Sequence, residues 1–381
     1  MSDHPVGPIF ESFANLEDPR VEYLVDHKLM DIVILTICAV ICGADHWTEV
    51  ELFGKSKETW LRTFLEFPYG IPSHDTIGGL FARLDADQFR ACFLEWVETI
   101  NGLVKGQVVA LDGKTLRRSH DRTVGKQAIH MVSAWAASSN LVLGQIKTDE
   151  KSNEITAIPA LLDMLSLSGC IVTIDAMGCQ RDIAQKILDR DADYVLAVKQ
   201  NQPSLYRKTR ELFDDTEASD IPYTKPKTCS VTEKDHGRIE TRTCSVIDDP
   251  DYLFYLQGPK DDPPWAGLAS IIKIESTRRV GQTESSETRY YISSLKADAE
   301  TLNNAIRQHW RVENSLHWVL DVAFREDDCR VRKGQAPEIF AVLRHMALNL
   351  LKQERSAKVG IQGKRLRAAW DTKYLLRVLG T

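Results

Sequence analysis

The sequence lacks most of the features that settle a protein's class early. Its longest apolar run, Ile32 to Cys42 broken only by Thr36, falls well short of the ~20 residues a membrane-spanning helix needs. The opening Met1-Ser2-Asp3-His4-Pro5 has neither a basic nor an apolar segment, so no signal peptide is expected. None of the eight cysteines (38, 42, 92, 170, 179, 229, 244 and 329) forms a C-x-x-C pair, which argues against a cysteine-built zinc site. Several lie in apolar runs, where a free thiol behaves as a small hydrophobe, and a reducing cytoplasm fits that usage. Positive charge is short as well: 48 Lys and Arg stand against 54 Asp and Glu, a formal charge of −6. Taken alone, that balance argues against a nucleic-acid partner. Internal repeats and long low-complexity stretches are absent.

The distribution of charge says more than its sum. Residues 1–106 hold 8 Lys/Arg against 17 Asp/Glu, whereas residues 352–381 hold 8 against 2. The basic tail reads equally as a solvated helix or as a phosphate-binding surface, with Lys364, Arg365 and Arg367 at its centre. At 381 residues the chain is long enough for two or three domains.

The apolar periodicity of residues 10 to about 100 is helical, with Pro68-Tyr69-Gly70-Ile71-Pro72 as a break and Ser73 and Asp85 as N-caps. From Gln107 the texture changes. Short continuous apolar runs at 108–111, 171–174 and 194–198 predict strands buried on both faces. Two more strands are expected at 128–137 and 141–147, and helices at 155–167, 181–190 and 202–213. The order implies an α/β fold, one mixed sheet flanked by helices. From 214 to about 296, Asp and Pro clusters surround candidate strands at 238–247, 268–276 and 289–293, which reads as a small β-rich insertion. Helix returns at Asp298 and runs past Val322.

Two of the buried strands end alike, in Val-Val-Ala-Leu-Asp112-Gly and Ile-Val-Thr-Ile-Asp175-Ala. Open α/β sheets place their sites at the carboxyl ends of strands. Two carboxylates brought together there raise each other's pKa unless a cation lies between them, and Mg²⁺ suits oxygen ligands. An aspartate at a strand end is also a common turn former or helix cap. For a third acid, spacing alone leaves Glu313, Asp321, Glu326, Asp327 and Asp328 open. Glu313 would equally form a helical salt bridge with Arg311 or His317. His309, Glu313 and His317 share one helical face and could hold zinc, although H-x-x-x-E-x-x-x-H is not the H-E-x-x-H pattern.

Several segments resemble the DDE transposases of bacterial insertion sequences, in the group that includes the H-repeat-associated proteins. They are Leu-Glu-Asp-Pro-Arg (16–20), Ala-Val-Ile-Cys-Gly-Ala-Asp (39–45), Gly-Ile-Pro-Ser-His-Asp-Thr (70–76), Ala-Leu-Asp-Gly-Lys (110–114), Lys-Ser-Asn-Glu-Ile (151–155), Thr-Ile-Asp-Ala-Met-Gly-Cys-Gln (173–180), Tyr-Tyr-Ile-Ser-Ser-Leu (290–295) and His-Trp-Arg-Val-Glu-Asn-Ser-Leu-His-Trp-Val-Leu-Asp (309–321). The resemblance implies a ribonuclease H-like catalytic domain over 105–381, interrupted by the β-rich insertion at about 214–296. It also implies a helical accessory domain over 1–104, whose acidity favours a packing or protein-contact role.

The resemblance further implies that Asp112, Asp175 and Glu313 are catalytic and hold two Mg²⁺ or Mn²⁺ ions, which clamp the attacking and leaving oxygens. Related transposases carry Tyr, Arg, Glu and Lys around the third acid. Here Ile306, His309, Glu313 and Leu320 stand at that spacing, so only the glutamate matches. Arg311 and His317 are candidate substitutes in phosphate contact. Lys114, Arg117 and Arg118 beside Asp112, and Arg238 and Arg242 after His236-Gly237, are further candidate contacts.

The implied reaction is cleavage of transposon ends at terminal inverted repeats of double-stranded DNA and their joining to target DNA. The expected protein is cytoplasmic, nucleoid-associated when bound to DNA, without a membrane partner, and a homodimer. A decayed or domesticated DNA-binding relative, or a ribonuclease H-like nuclease without strand transfer, are the alternatives.

Overall fold

A computed structural model describes residues 6–21, 23, 25–102, 104–120, 127–148, 154–218, 225–235, 237–257 and 264–380. Residues 1–5, residues 151–153 of the Lys-Ser-Asn-Glu-Ile segment, and His236 lie outside that set. Among the described residues no helix is long and apolar enough to cross a membrane.

Five helices open the chain: α1 (Gly7–Ser12), α2 (Leu29–Ile41), α3 (Trp47–Leu61), α4 (His74–Phe81) and α5 (Ala86–Ile100). Their starts follow local chemistry. Ser73 Oγ accepts the Thr76 N–H at 3.2 Å, and Asp85 accepts those of Asp87 and Gln88 at 2.8 and 2.9 Å, which satisfies donors that a helix N-terminus leaves free.

The strands follow as β1 (Val108–Thr115), β2 (His130–Ala136) and β3 (Leu141–Lys147). Helices and strands then alternate through α6 (Glu154–Met164), β4 (Ile171–Ile174), α7 (Arg181–Leu188), β5 (Asp193–Val198) and α8 (Pro203–Ala218). A meander comes next: β6 (Lys227–Asp235), β7 (Arg238–Ile247), α9 (Pro250–Leu256), β8 (Ser270–Val280) and β9 (Thr283–Ser293). Helices α10 (Ala299–His309), α11 (Trp318–Ala323), α12 (Ala336–Gln353), α13 (Ile361–Trp370) and α14 (Thr372–Leu379) close the chain.

The nine strands among the described residues form one sheet in the order β3-β2-β1-β4-β5-β9-β8-β7-β6. β4 runs parallel to both β1 and β5, and every other pairing is antiparallel. The region read from sequence as an insertion is therefore β-rich, but its strands continue the main sheet: β9 joins β5 with Val195 opposite Ser293. It also has a strand that the sequence pattern did not reveal, β6, paired with β7 residue for residue from Lys227↔Val246 to Asp235↔Arg238.

One hydrophobic core runs from the opening helices through the sheet to the closing ones. Its axis is α12, in which every residue from Ala336 to Leu351 is buried. This helix packs on α2, α5 and β3, so the helices before residue 104 share their core with the sheet. At its end Asn349 accepts the Val142 N–H and donates to the Val142 carbonyl, both at 2.9 Å. The side-chain amide thus supplies edge strand β3 with the partner that no tenth strand provides.

Candidate active site

β1 and β4 pair in parallel with Leu111 opposite Ile174. One step further on, Asp112 and Asp175 occupy matching positions: Asp175 follows the end of β4, whereas β1, expected from sequence to end in Asp112, runs on to Thr115 paired with β2. Both strands are buried up to that point, with the pattern broken only from Asp112 onward. Burial of the runs fixes the register, and the register brings the acids side by side. Asp175 also acts as a turn former: its Oδ1 accepts the Met177 N–H at 3.0 Å and caps the 3₁₀ turn Ala176–Gly178. The turn-former reading of this residue is what the structure shows. Asp112 Oδ1 accepts the Gly113 N–H at 2.9 Å.

The third acid arrives on the helical segment after α10. The segment does not continue as a plain α-helix, because Glu313–His317 is a π-helical turn, a widening that often accompanies functional sites. It carries His317 Nδ1 to 3.4 Å from Asp112 Oδ2 and 3.5 Å from Glu313 Oε2. Ligand atoms of Asp112, Glu313 and His317 all fall within 4.8 Å of one another. His309 turns away to the sheet, where its Nδ1 lies 3.0 Å from Thr173 Oγ1, so the zinc face suggested by helical spacing does not assemble. Asp175 lies outside the 4.8 Å group but lines the same cavity of about 250 Å³ as Asp112 and Glu313, together with Arg289, Tyr291 and Trp310. The Arg289 guanidinium sits over the Trp310 ring, 4.0 Å from its centroid.

The electrostatics are those of buried acids crowded together. Burial, with Asp175, Glu154 and Glu313 adding repulsion against the Gly113 N–H, pushes Asp112 up to about 7. Burial and Glu154 raise Asp175, against the Met177 and Gly178 amides and Lys199. Burial, and then Lys114, hold His317 below the usual imidazole range, while Glu313 and Glu326 pull the other way. A divalent cation would relieve the carboxylates, and the hard oxygen donors of Asp112, Asp175 and Glu313 fit Mg²⁺ or Mn²⁺.

The predicted phosphate contacts divide sharply. Lys114 points inward: its Nζ pairs with Asp321, lies 3.0 Å from Glu326 Oε2 and reaches the His317 carbonyl at 3.4 Å. Glu326 is itself buried beside Arg344, 3.8 Å away. Lys114 is therefore a strut beneath the π-helical turn rather than a free phosphate ligand. Arg242 is buried against Glu240 at 2.6 Å. Lys364 donates to the carbonyls of Leu351 and Glu354, and Arg365 to those of Ala323 and Val40 and to Asp45. Both are buried and satisfy carbonyls at the C-termini of α12, α11 and α2, which corrects the reading of the basic tail at these two positions. Arg117, Arg118, Arg311 and Arg367 are exposed, and Arg238 is half-buried. Sequence reasoning gave no role to Glu154, His130, Arg289 or Trp310. The signal for Glu154 was its place in the Lys-Ser-Asn-Glu-Ile segment.

The Transposase DDE domain family matches residues 104–350, and the family described as "DDE_Tnp_1-associated" matches residues 10–97. The chain belongs to the DDE transposases. It is 43% identical to "H repeat-associated putative transposase YhhI" of Escherichia coli K12, over 97% of each chain. It is 44% identical to "Putative transposase YncI" of Escherichia coli O157:H7, over 99% of this chain and 95% of that one. A cryo-EM structure of the piggyBac transposase synaptic complex with hairpin DNA covers 99% of this chain and 82% of its own at 11% identity and a TM-score of 0.47, a likeness too slight to argue from.

Proposed function

We propose that this chain cleaves the ends of an insertion sequence and joins them to target DNA by two-metal phosphoryl transfer, on a ribonuclease H-like core preceded by a helical accessory domain over 1–104. Asp112, Asp175 and Glu313 are the residues that hold the cations. The observation that carries the reading is the parallel register of β1 and β4, which sets Asp112 and Asp175 at matching positions on neighbouring strands, with Glu313 brought against Asp112 by the π-helical turn. Bound Mg²⁺ or Mn²⁺ would supply charge stabilisation to the attacking and leaving oxygens.

The chain does the positioning. The Met177 N–H fixes one oxygen of Asp175 and leaves the other for a ligand. His317, set between Asp112 and Glu313, orients both carboxylates. Exposed Arg311, two residues from Glu313, contacts the phosphodiester, and Arg117, Arg118, Arg238 and Arg367 contact the DNA backbone further out. Water opens the strand to leave a 3′-OH, and that hydroxyl then attacks the target phosphodiester, so no covalent protein–DNA intermediate forms. Terminal inverted repeats are the substrate, and a homodimer pairs the two ends.

The test is cleavage of a duplex carrying the inverted repeats that flank the gene, with Mg²⁺ or Mn²⁺, followed by strand transfer from pre-cut ends. Asp175→Asn and Glu313→Gln should each reduce cleavage by roughly a thousandfold, the loss typical of removing a key electrostatic group. Cleavage that persists in either variant overturns the assignment. Cleavage by the wild type without joining would mark a nuclease instead, and binding without cleavage a decayed relative.

A further inference from the structure

Glu154 is the first residue of α6, and its surroundings are built with care. Its Oε1 lies 2.9 Å from His130 Nε2, and His130 Nδ1 lies 2.9 Å from Thr115 Oγ1. Thr115 and His130 are direct partners in the β1–β2 ladder. With a hydroxyl on one nitrogen and a carboxylate on the other, the imidazole ring is fixed, and it fixes Glu154 in turn.

The pair lies flat across β1 at Gly113, the residue that follows Asp112. A Cβ at Gly113 would come within 2.2 Å of Glu154 Oε1 and 2.5 Å of His130 Nε2. Only glycine admits the two side chains so close to the strand. The Glu154 charge is felt by Asp112 and Asp175 alike, where it adds to the effect of burial.

Stability does not explain this arrangement. The Glu154 and His130 side chains are 20% and 27% exposed, and an ion pair of that kind contributes at most about 1 kcal/mol. An added negative charge beside two partly buried aspartates works against folding in the free chain. A site meant for cations reverses that sign.

We propose that Glu154 is a fourth carboxylate of the cation site, held by His130 and admitted by Gly113. The proposal rests on the reading of Asp112, Asp175 and Glu313 as cation-holding acids. Two divalent ions carry four positive charges; the three acids offer three negative ones, and Glu154 supplies the fourth.

Calorimetric titration of the full-length protein with Mn²⁺, in the absence of DNA, tests it. Glu154→Gln should weaken Mn²⁺ binding roughly tenfold, the lower end of the loss seen when a group supporting a metal site is removed, and should keep or raise the melting temperature. Gly113→Ala should give the same weakening by displacing the carboxylate, and His130→Gln a smaller one. Asp112→Asn serves as the reference and should weaken binding further. If Glu154→Gln binds Mn²⁺ like the wild type while Asp112→Asn does not, the fourth carboxylate is refuted and the three-acid reading stands. If Asp112→Asn also binds unchanged, both fail. A Glu154→Gln protein that melts lower at unaltered Mn²⁺ affinity would show a purely structural role and overturn the proposal.

Discussion

The two ends of the sheet are built on opposite principles. From β3 to β5 the strands are short; β2, β3, β4 and β5 are buried along almost their whole length and β1 over its first half, and β4 has just four residues, all buried. From β9 to β6 the strands run to eleven residues; burial fades along β9, β8 and β7, and β6 is half-buried at best over Lys227–Lys234. β8 is buried from Ser270 to Ile274 and largely open to solvent from Glu275 to Val280, and β9 mirrors it. The first half needs helices on its faces and gains parallel strands that hold acids at matching positions. The second half is a meander in which a third to a half of each of β7, β8 and β9 belongs to the core and the rest is a half-buried to exposed ribbon. The paired acids sit where the strands are most buried, and the largely exposed meander lies beside them.

That contrast can be broken by experiment. The largest effect should fall on the buried half without touching its stability: Asp175→Asn should lose about three orders of magnitude in cleavage while its melting temperature stays put or rises. Loss of folding instead would mean that Asp175 serves the turn rather than the chemistry. Next comes the inner meander. Ile272→Ala, at a fully buried position, should cost about 3 kcal/mol in a denaturant titration, which would show that the meander folds with the sheet. A cost near zero would make it a separate unit.

A third effect tests α10, which packs on β1 and β4 in the buried half. Burial holds His309 down to about 4, below its unfolded value near 6.5. The unfolded chain thus takes up the proton first, and the stability due to neutral His309 is lost as pH falls from about 6.5 to about 4. His309→Gln should flatten the pH dependence of the melting temperature over that window, and an unchanged slope would place the imidazole in solvent. The smallest effect is expected at the ribbon. Arg278→Ala, on an exposed strand end, should change stability by less than about 0.5 kcal/mol.

The same contrast explains what the sequence disclosed. Strands buried on both faces announce themselves as apolar runs, so 141–147 and 171–174 were legible to the residue, and so was Asp175 at the end of β4; β1 outran its expected end at Asp112, because its last three residues are polar or glycine and pair with β2. β6 was not legible. Lys227-Thr-Cys-Ser-Val-Thr-Glu-Lys-Asp235 offers just two apolar residues, Cys229 and Val231, both half-buried, too short an alternation to announce a strand although Cys229 packs on the core. Lys114, Lys364 and Arg365 were misjudged for a different reason. A cation's charge is visible in sequence, but the helix carbonyls and buried acids waiting for it are set only by the tertiary fold. Glu313 was identified through the motif around it. The π-helical turn that aims its neighbour His317 at Asp112 leaves no trace in a 3.6-residue period.

That turn has a consequence for the gene. Each residue added to or removed from a helix rotates all that follows by about 100°. Inside a π turn that rule is softened: deletion of Asn314 would leave the reading frame intact and let the turn close as a plain α-helix, keeping Asp321 near Lys114 but losing the widening that sets His317 between Glu313 and Asp112. The coding sequence between Glu313 and His317 should therefore tolerate exchanges of letters far better than any change in their number.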